Sequence, residues 1–141
     1  MHSSDRVLVS AGLIRAPQGH SQYGKILMTR RLLKAHLGGS WEFPGGKVEL
    51  GEDPVDTLHR ELKEELGIKI QDPQIYAVGH HCYPTKEVIL LVYECWLSEG
   101  EPQALEVDGF QWMTPNEICA LPLPPADEEV IIKLTQERLL K

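Results

Sequence analysis

Residues 53–67 read as one helix, and that helix carries Glu61, Glu64 and Glu65 three and four positions apart. The boundaries are written in residue chemistry: Asp53 is a side chain suited to an N-cap, Pro54 is preset for the first helical position, Asp56 adds an acid to the first turn, and Gly67 can close the helix left-handed. On a helical wheel Val55, Leu58, Leu62 and Leu66 span an arc of about 80°, and the three glutamates span about 100° beside it. One stripe is set to pack, and the next must face water or a cavity. Like charges three or four apart oppose the helix by roughly 0.2–0.5 kcal/mol per pair. A bound hard cation reverses that sign. Carboxylates at this spacing can share divalent ions, and an all-oxygen donor set selects Mg²⁺ or Mn²⁺ over zinc. Because magnesium keeps positions open for phosphate oxygens, the cluster suggests metal-assisted attack of water on a phosphoanhydride, with a carboxylate taking the proton. Its rival is a solvated acidic helix face.

Around this helix the chain reads as alternating strands and loops. Residues 7–14 and 25–30 are strands expected to pair, and 32–44 are expected to be an irregular, shaped loop ending in WEFPGG. Residues 75–83 and 87–97 flank the turn PTKE as a hairpin whose second arm, nearly continuous in apolar character, belongs in the centre of a sheet. A short strand at 110–113 follows. Thr114, Pro115 and Glu117 then supply the cap, first-turn proline and capping-box acid of a helix, and a last helix is expected near 127–140. Mixed strands around two or three helices give an α/β (α+β) sandwich, expected as a single domain over residues 1–141.

The formal charge of −7, from 21 acidic and 14 basic side chains, argues against a broad nucleic-acid surface, which works by neutralising phosphates. Cys82, Cys95 and Cys119 form no CxxC pair and are odd in number, so a disulfide framework or zinc knuckle is not indicated, and a reducing cytoplasmic compartment is expected. The longest apolar run, 88–93, falls far short of the ~18–20 residues that span a bilayer, so no membrane partner is expected and the chain should be unprocessed.

Reading outward from the glutamates, Gly46, Glu52 after five residues, Arg60-Glu61 after seven more, Leu62, Glu64-Glu65, Gly67 and Ile68 match every fixed position of the Nudix box. The chain therefore resembles the Nudix hydrolases, which cleave a nucleoside diphosphate linked to another moiety. The resemblance implies a Nudix α/β/α sandwich with a mixed sheet, and Mg²⁺ or Mn²⁺ held by Glu61, Glu64 and Glu65 with the Gly45 carbonyl as a further ligand. The glycine pair suits such an approach because no Cβ obstructs it. Arg60 resembles the box arginine that orients its neighbours; paired with Glu52 it would fix the loop to the helix.

Beyond the box, AGLIR, TRR, WEFPGGK, EGEP, Trp112-Met113 and PPAD resemble the MutT-type and CTP pyrophosphohydrolase-type nucleoside triphosphatases. That resemblance places Glu106 where a glutamate outside the box binds metal or assists the base, Phe43 in a base pocket, and Arg31, Lys47 and Lys86 near substrate oxygens. Asp127 departs from the asparagine that ends the motif in 8-oxo-dGTP-cleaving members. An ionised aspartate only accepts, so it favours bases presenting N–H groups, such as cytosine N4; its rival role is a helix N-cap. Pro84 is read as a turn residue, and His36, His80 and His81 have no metal-like spacing partner. The implied activity is Mg²⁺-dependent hydrolysis of (deoxy)nucleoside triphosphates to monophosphate and pyrophosphate, in the manner of nucleotide-pool sanitation acting on 8-oxo-dGTP or cytosine nucleotides. Removal of pyrophosphate from an RNA 5′ end, cleavage of NDP-sugars or ADP-ribose, and a non-catalytic nucleotide-binding module stay open as alternatives, as does the oligomeric state.

Overall fold

In the computed structural model, residues 5–35 and 38–139 are described; His36, one of the histidines read above as without a metal-like spacing partner, lies outside them. These residues form seven strands, β1 (Asp5–Arg15), β2 (Ile26–Arg30), β3 (Trp41–Glu42), β4 (Gly45–Lys47), β5 (Lys69–Cys82), β6 (Lys86–Glu99) and β7 (Gly109–Met113), and three helices, α1 (Pro54–Leu66), α2 (Pro115–Cys119) and α3 (Glu128–Leu139). The strands make one mixed sheet in the order β3-β2-β1-β6-β5, with β4 laddered onto β1 and β7 onto β2.

The long apolar arm expected to be central is central: β6 lies between β1 and β5, and is covered on both faces. Leu90 and Val92 point into a core shared with α2 and α3, while Cys95 and Leu97 point into a second core beneath α1. Both faces being dry explains why the strand is written as an apolar run rather than an alternation. The expected pairing of β1 with β2 is present but short, Ile14 with Leu27 and Arg15 with Ile26. The main partner of β1 is β6, parallel from Asp5 opposite Lys86 to Arg15 opposite Trp96.

α1 forms as its sequence dictates. The Asp53 carboxylate accepts from the Val55 N–H at 2.8 Å, and Gly67 closes the helix at φ 69°. Leu58, Leu62 and Leu66 are fully buried, each worth roughly 1.5–3 kcal/mol of burial. The buried Ser10 hydroxyl donates to the Pro54 carbonyl at 2.8 Å, pinning the start of the helix to β1.

Two expectations need correction. Residues 32–44 are not irregular throughout: Trp41–Glu42 pairs with β2, and the glycine pair itself begins a strand, β4. Glycine permits this strand rather than breaking it, because a Cβ on Gly45 would overlap the Ser10 carbonyl oxygen as β4 lies down on β1. The first hairpin arm starts at Lys69 rather than 75. Asp72 at φ 54° and the register shifts between Gln71 and Gln74 absorb the Asp-Pro pair as a bulge, so a segment that reads as a turn stays in the sheet.

Candidate active site

The helix α1 turns its second stripe toward β4. Arg60 sits at the hub: Nε donates to Glu52 Oε2 at 2.8 Å and Nη2 to Glu52 Oε1 at 3.0 Å, while Nη1 reaches Glu61 at 3.1 Å and Glu64 at 3.4 Å. Nη2 also lies 3.4 Å from the Lys47 carbonyl. Glu52 accepts further from the Thr57 hydroxyl at 2.6 Å and the Glu49 N–H at 3.1 Å, and these donors, Arg60 foremost, hold its carboxyl down at about 2. The arginine and Glu52 thus bind the β4–α1 loop to the helix, as the resemblance to the box arginine implied, and one guanidinium faces three of the box carboxylates.

One cation does not neutralise this cluster. Glu65 is pushed up to about 8, first by burial, then by Glu61, Glu42 and Glu106, against a single stabilising N–H from Gly45 at 3.2 Å. Glu61 is also raised, mainly by burial and despite Arg60, with Glu64 and Glu106 adding repulsion. A Cβ on Gly46 would overlap the Glu61 carboxylate, so the second glycine is the space in which that group sits. An all-oxygen donor set with excess negative charge and backbone cleared for close approach fits a hard divalent cation, and Glu61, Glu64, Glu65 and Glu106 are the residues that can hold one. Glu106, in an exposed turn, is tied to the helix through its N–H, 3.3 Å from the Glu65 carbonyl.

Glu61 and Glu65 line a cleft of about 330 Å³ that also takes in Arg31, Phe43, Gly45, Lys47, Lys86 and Asp127. Eight residues singled out from the sequence therefore meet in one cavity. Glu52, Arg60, Glu64 and Glu106 are not among its lining residues; Arg60 joins Glu52 and Glu64 to Glu61, which is. Phe43 is 4% exposed and belongs to the α2/α3-side core as well as to the cleft, so it serves as filler and wall together. Arg31 donates to Glu42 at 2.9 Å. Glu42 was missed by sequence reasoning although it is the acid of WEFPGG; it is partly buried in the cleft wall, and desolvation raises its carboxyl against the pull of Arg31.

Asp127 corrects a premise. It stands directly before α3 but does not cap it: it ends a 3-10 turn, Pro125–Asp127, its N–H donates to the Pro124 carbonyl at 2.9 Å, and its side chain makes no hydrogen bond among the described residues. The carboxyl is 6% exposed and pushed up to about 7 by burial and then by Glu42. A carboxyl so placed is an acceptor alone only above neutrality; below it, the group gains an O–H donor.

His80 does have neighbours. With Cys82 and Glu87 it forms a surface group whose ligand atoms lie within 4.8 Å of one another, though Glu87 already holds Arg6 at 2.6 Å and His80 at 2.7 Å. A larger depression of 770 Å³, flanked by Arg15, Tyr23, Lys25, Trp96 and Glu137, contains none of the box carboxylates. No helix among the described residues is long and apolar enough to cross a membrane.

A mixed sheet between helical layers, with a capped helix turning carboxylates onto a glycine strand, defines a hydrolase of phosphoanhydrides. The chain belongs to the NUDIX domain family, whose sequence pattern matches residues 6–134. The 8-oxo-dGTP diphosphatase of Escherichia coli (strain K12) is 35% identical over 129 residues, 92% of this chain and 96% of that protein. The CTP pyrophosphohydrolase of the same strain is 38% identical over 107 residues, 74% of this chain and 77% of that one. The solution structure of the E. coli ORF135 protein matches with a TM-score of 0.73 at 32% identity, covering 97% of this chain and 91% of that one. The chain is a Nudix pyrophosphohydrolase, and Nudix hydrolases in general require a divalent metal.

Proposed function

We propose that the 141 residues act as one Nudix domain that hydrolyses nucleoside or deoxynucleoside triphosphates to monophosphate and pyrophosphate with Mg²⁺, sanitising the cytoplasmic nucleotide pool. The observation that carries this reading is the single cleft in which Glu61 and Glu65 share walls with Phe43 and Asp127. Phosphate chemistry and a polar reader for a base occupy one cavity. The relatives' names, 8-oxo-dGTP diphosphatase and CTP pyrophosphohydrolase, supply the two bases to test first.

Glu61, Glu64 and Glu65, with Glu106 and the Gly45 carbonyl, would hold the metal. Held there, Mg²⁺ would supply charge neutralisation at non-bridging phosphate oxygens and a more nucleophilic water for attack at the β-phosphorus. A carboxylate of the cluster takes the proton of that water. Arg60, fixed by Glu52, keeps the carboxylates oriented, Lys47 and Lys86 meet phosphate oxygens, and Arg31 stands on the same wall through its bond to Glu42. Phe43 gives the base an apolar surface while Asp127 presents its carboxyl to the base edge.

Glu64→Gln and Glu65→Gln should each lower kcat by orders of magnitude while the protein stays folded. Turnover that survives both changes would sink the metal assignment. A panel of the NTPs, the dNTPs, 8-oxo-dGTP, 5-methyl-dCTP and 5′-triphosphate RNA, run on the wild type and on Asp127→Asn, tests the base reader. The variant should move toward 8-oxo-dGTP, and an unchanged profile removes Asp127 from that role.

A further inference from the structure

We propose that Gly79 of β5 is a positioning residue for substrate selection: its missing side chain sets the depth at which the Pro125–Asp127 turn lies on the sheet, and so where Asp127 meets the base. This rests on Asp127 being the base reader. On β5, Ala77, Gly79 and His81 stand opposite Val92, Leu90 and Val88, and Val88 and Leu90 line the cleft. The 3-10 turn crosses the sheet at Gly79. A Cβ there would overlap the Ala126 carbonyl oxygen and stand 3.0 Å from the Ala126 carbonyl carbon. Both groups are backbone, so neither can swing aside as the end of a long side chain can.

The turn is also held from behind. Lys133 Nζ donates to the Tyr76 carbonyl at 2.7 Å, and the Tyr76 hydroxyl donates to Glu137 at 2.7 Å, which docks α3 onto β5 on the side the turn occupies. Ala126 is buried, and the next residue is Asp127. A side chain at position 79 must therefore lift the turn, and the Asp127 carboxyl rises with it. Displacements of about 1 Å in positioning groups can cost roughly 100-fold, here in kcat/KM because the displaced group meets the base and not the reacting phosphate. The carboxylate helix is placed largely by other contacts: α1 is held by β1 and β4 as well as β5, while the turn packs on β5, β6 and α3.

Gly79→Ala should raise KM for the preferred triphosphate by about 10- to 100-fold and flatten the ratios of kcat/KM among the four NTPs, with saturated kcat held within about threefold. In an Asp127→Ala background the same substitution should change those ratios by less than about twofold, since of the turn residues that line the cleft, Pro124, Ala126 and Asp127, only Asp127 carries a polar side chain to read the base. Asp127→Glu, longer by one methylene, should recover part of the discrimination in Gly79→Ala and lose it in the wild-type background. The proposal is overturned if Gly79→Ala leaves the ratios intact, or flattens them equally when Asp127 is already gone. Should Gly79→Ala not fold, Pro125→Gly loosens the same turn without crowding β5; flattened ratios through KM then support the proposal, and intact ones overturn it. If Asp127→Ala itself leaves the ratios unchanged, the base-reader assignment has failed, a different result from failure at Gly79.

Discussion

A carboxyl group either accepts only or both donates and accepts, and at Asp127 burial lets pH decide between the two. The groups facing it are Glu42 on β3 and Tyr83 at the end of the hairpin, with Arg31 engaged on Glu42. The fold raises this carboxyl from 3.8 to about 7, so the folded state favours the neutral form. Its contribution to stability is therefore complete below 3.8 and is lost as pH rises through about 7. Asp127→Asn cannot ionise and should escape that loss, becoming more stable than the wild type by roughly 2–3 kcal/mol more at pH 8 than at pH 5. Denaturant melts of the two proteins across this range measure the difference directly, since Glu65 and the other raised carboxyls are common to both. A gap that does not change with pH contradicts the assignment.

Among the elements, α1 carries most of what could be read in advance. Its start depends on one side chain, and Asp53→Ala should cost about 1 kcal/mol by leaving the Val55 N–H without its acceptor, measured as a fall in denaturant midpoint with no change in slope. That helix was legible because its signals are local: a cap, a proline, a closing glycine and an apolar stripe fall within one short segment. The same is true of Thr114, whose hydroxyl accepts from the Glu117 N–H at 3.2 Å while the Glu117 carboxylate accepts from the Thr114 N–H at 2.9 Å. What stayed hidden depends on distant partners. Gly45 becomes a strand only because Ser10 leaves room for backbone and nothing more, β1 pairs with β6 across about eighty residues of sequence, and the seat of Asp127 is cut by Gly79. The α1 carboxylates proposed to hold the metal are legible through the box; Glu42, which lines the same cleft as Glu61 and Glu65, lies just outside the box and carries no local signal beyond its place in WEFPGG.

For the molecule as a whole, the carboxylate cluster is a cost that the rest of the fold carries. The chain already has a formal charge of −7, and one arginine serves three acids at the box while Glu65 and Glu61 are driven toward protonation by burial and mutual repulsion. The fold can tolerate this because the two cores on either side of the sheet are large and dry, and because Glu52 anchors Arg60 from a loop rather than from the helix. A cation that binds only the folded cluster must then add its binding free energy to stability. At one hundred times its dissociation constant that is ~2.7 kcal/mol, or roughly 5–10 °C in Tm for a chain of this length. Thermal melts with Mg²⁺ or Mn²⁺ should show the rise, and a chelator should abolish it. Glu61→Gln and Glu65→Gln should begin from an equal or higher metal-free Tm, because each removes repulsion, and should gain little from the metal. A wild-type Tm indifferent to both ions would mean that the acidic stripe faces only water, and the phosphoanhydride chemistry would lose its foundation.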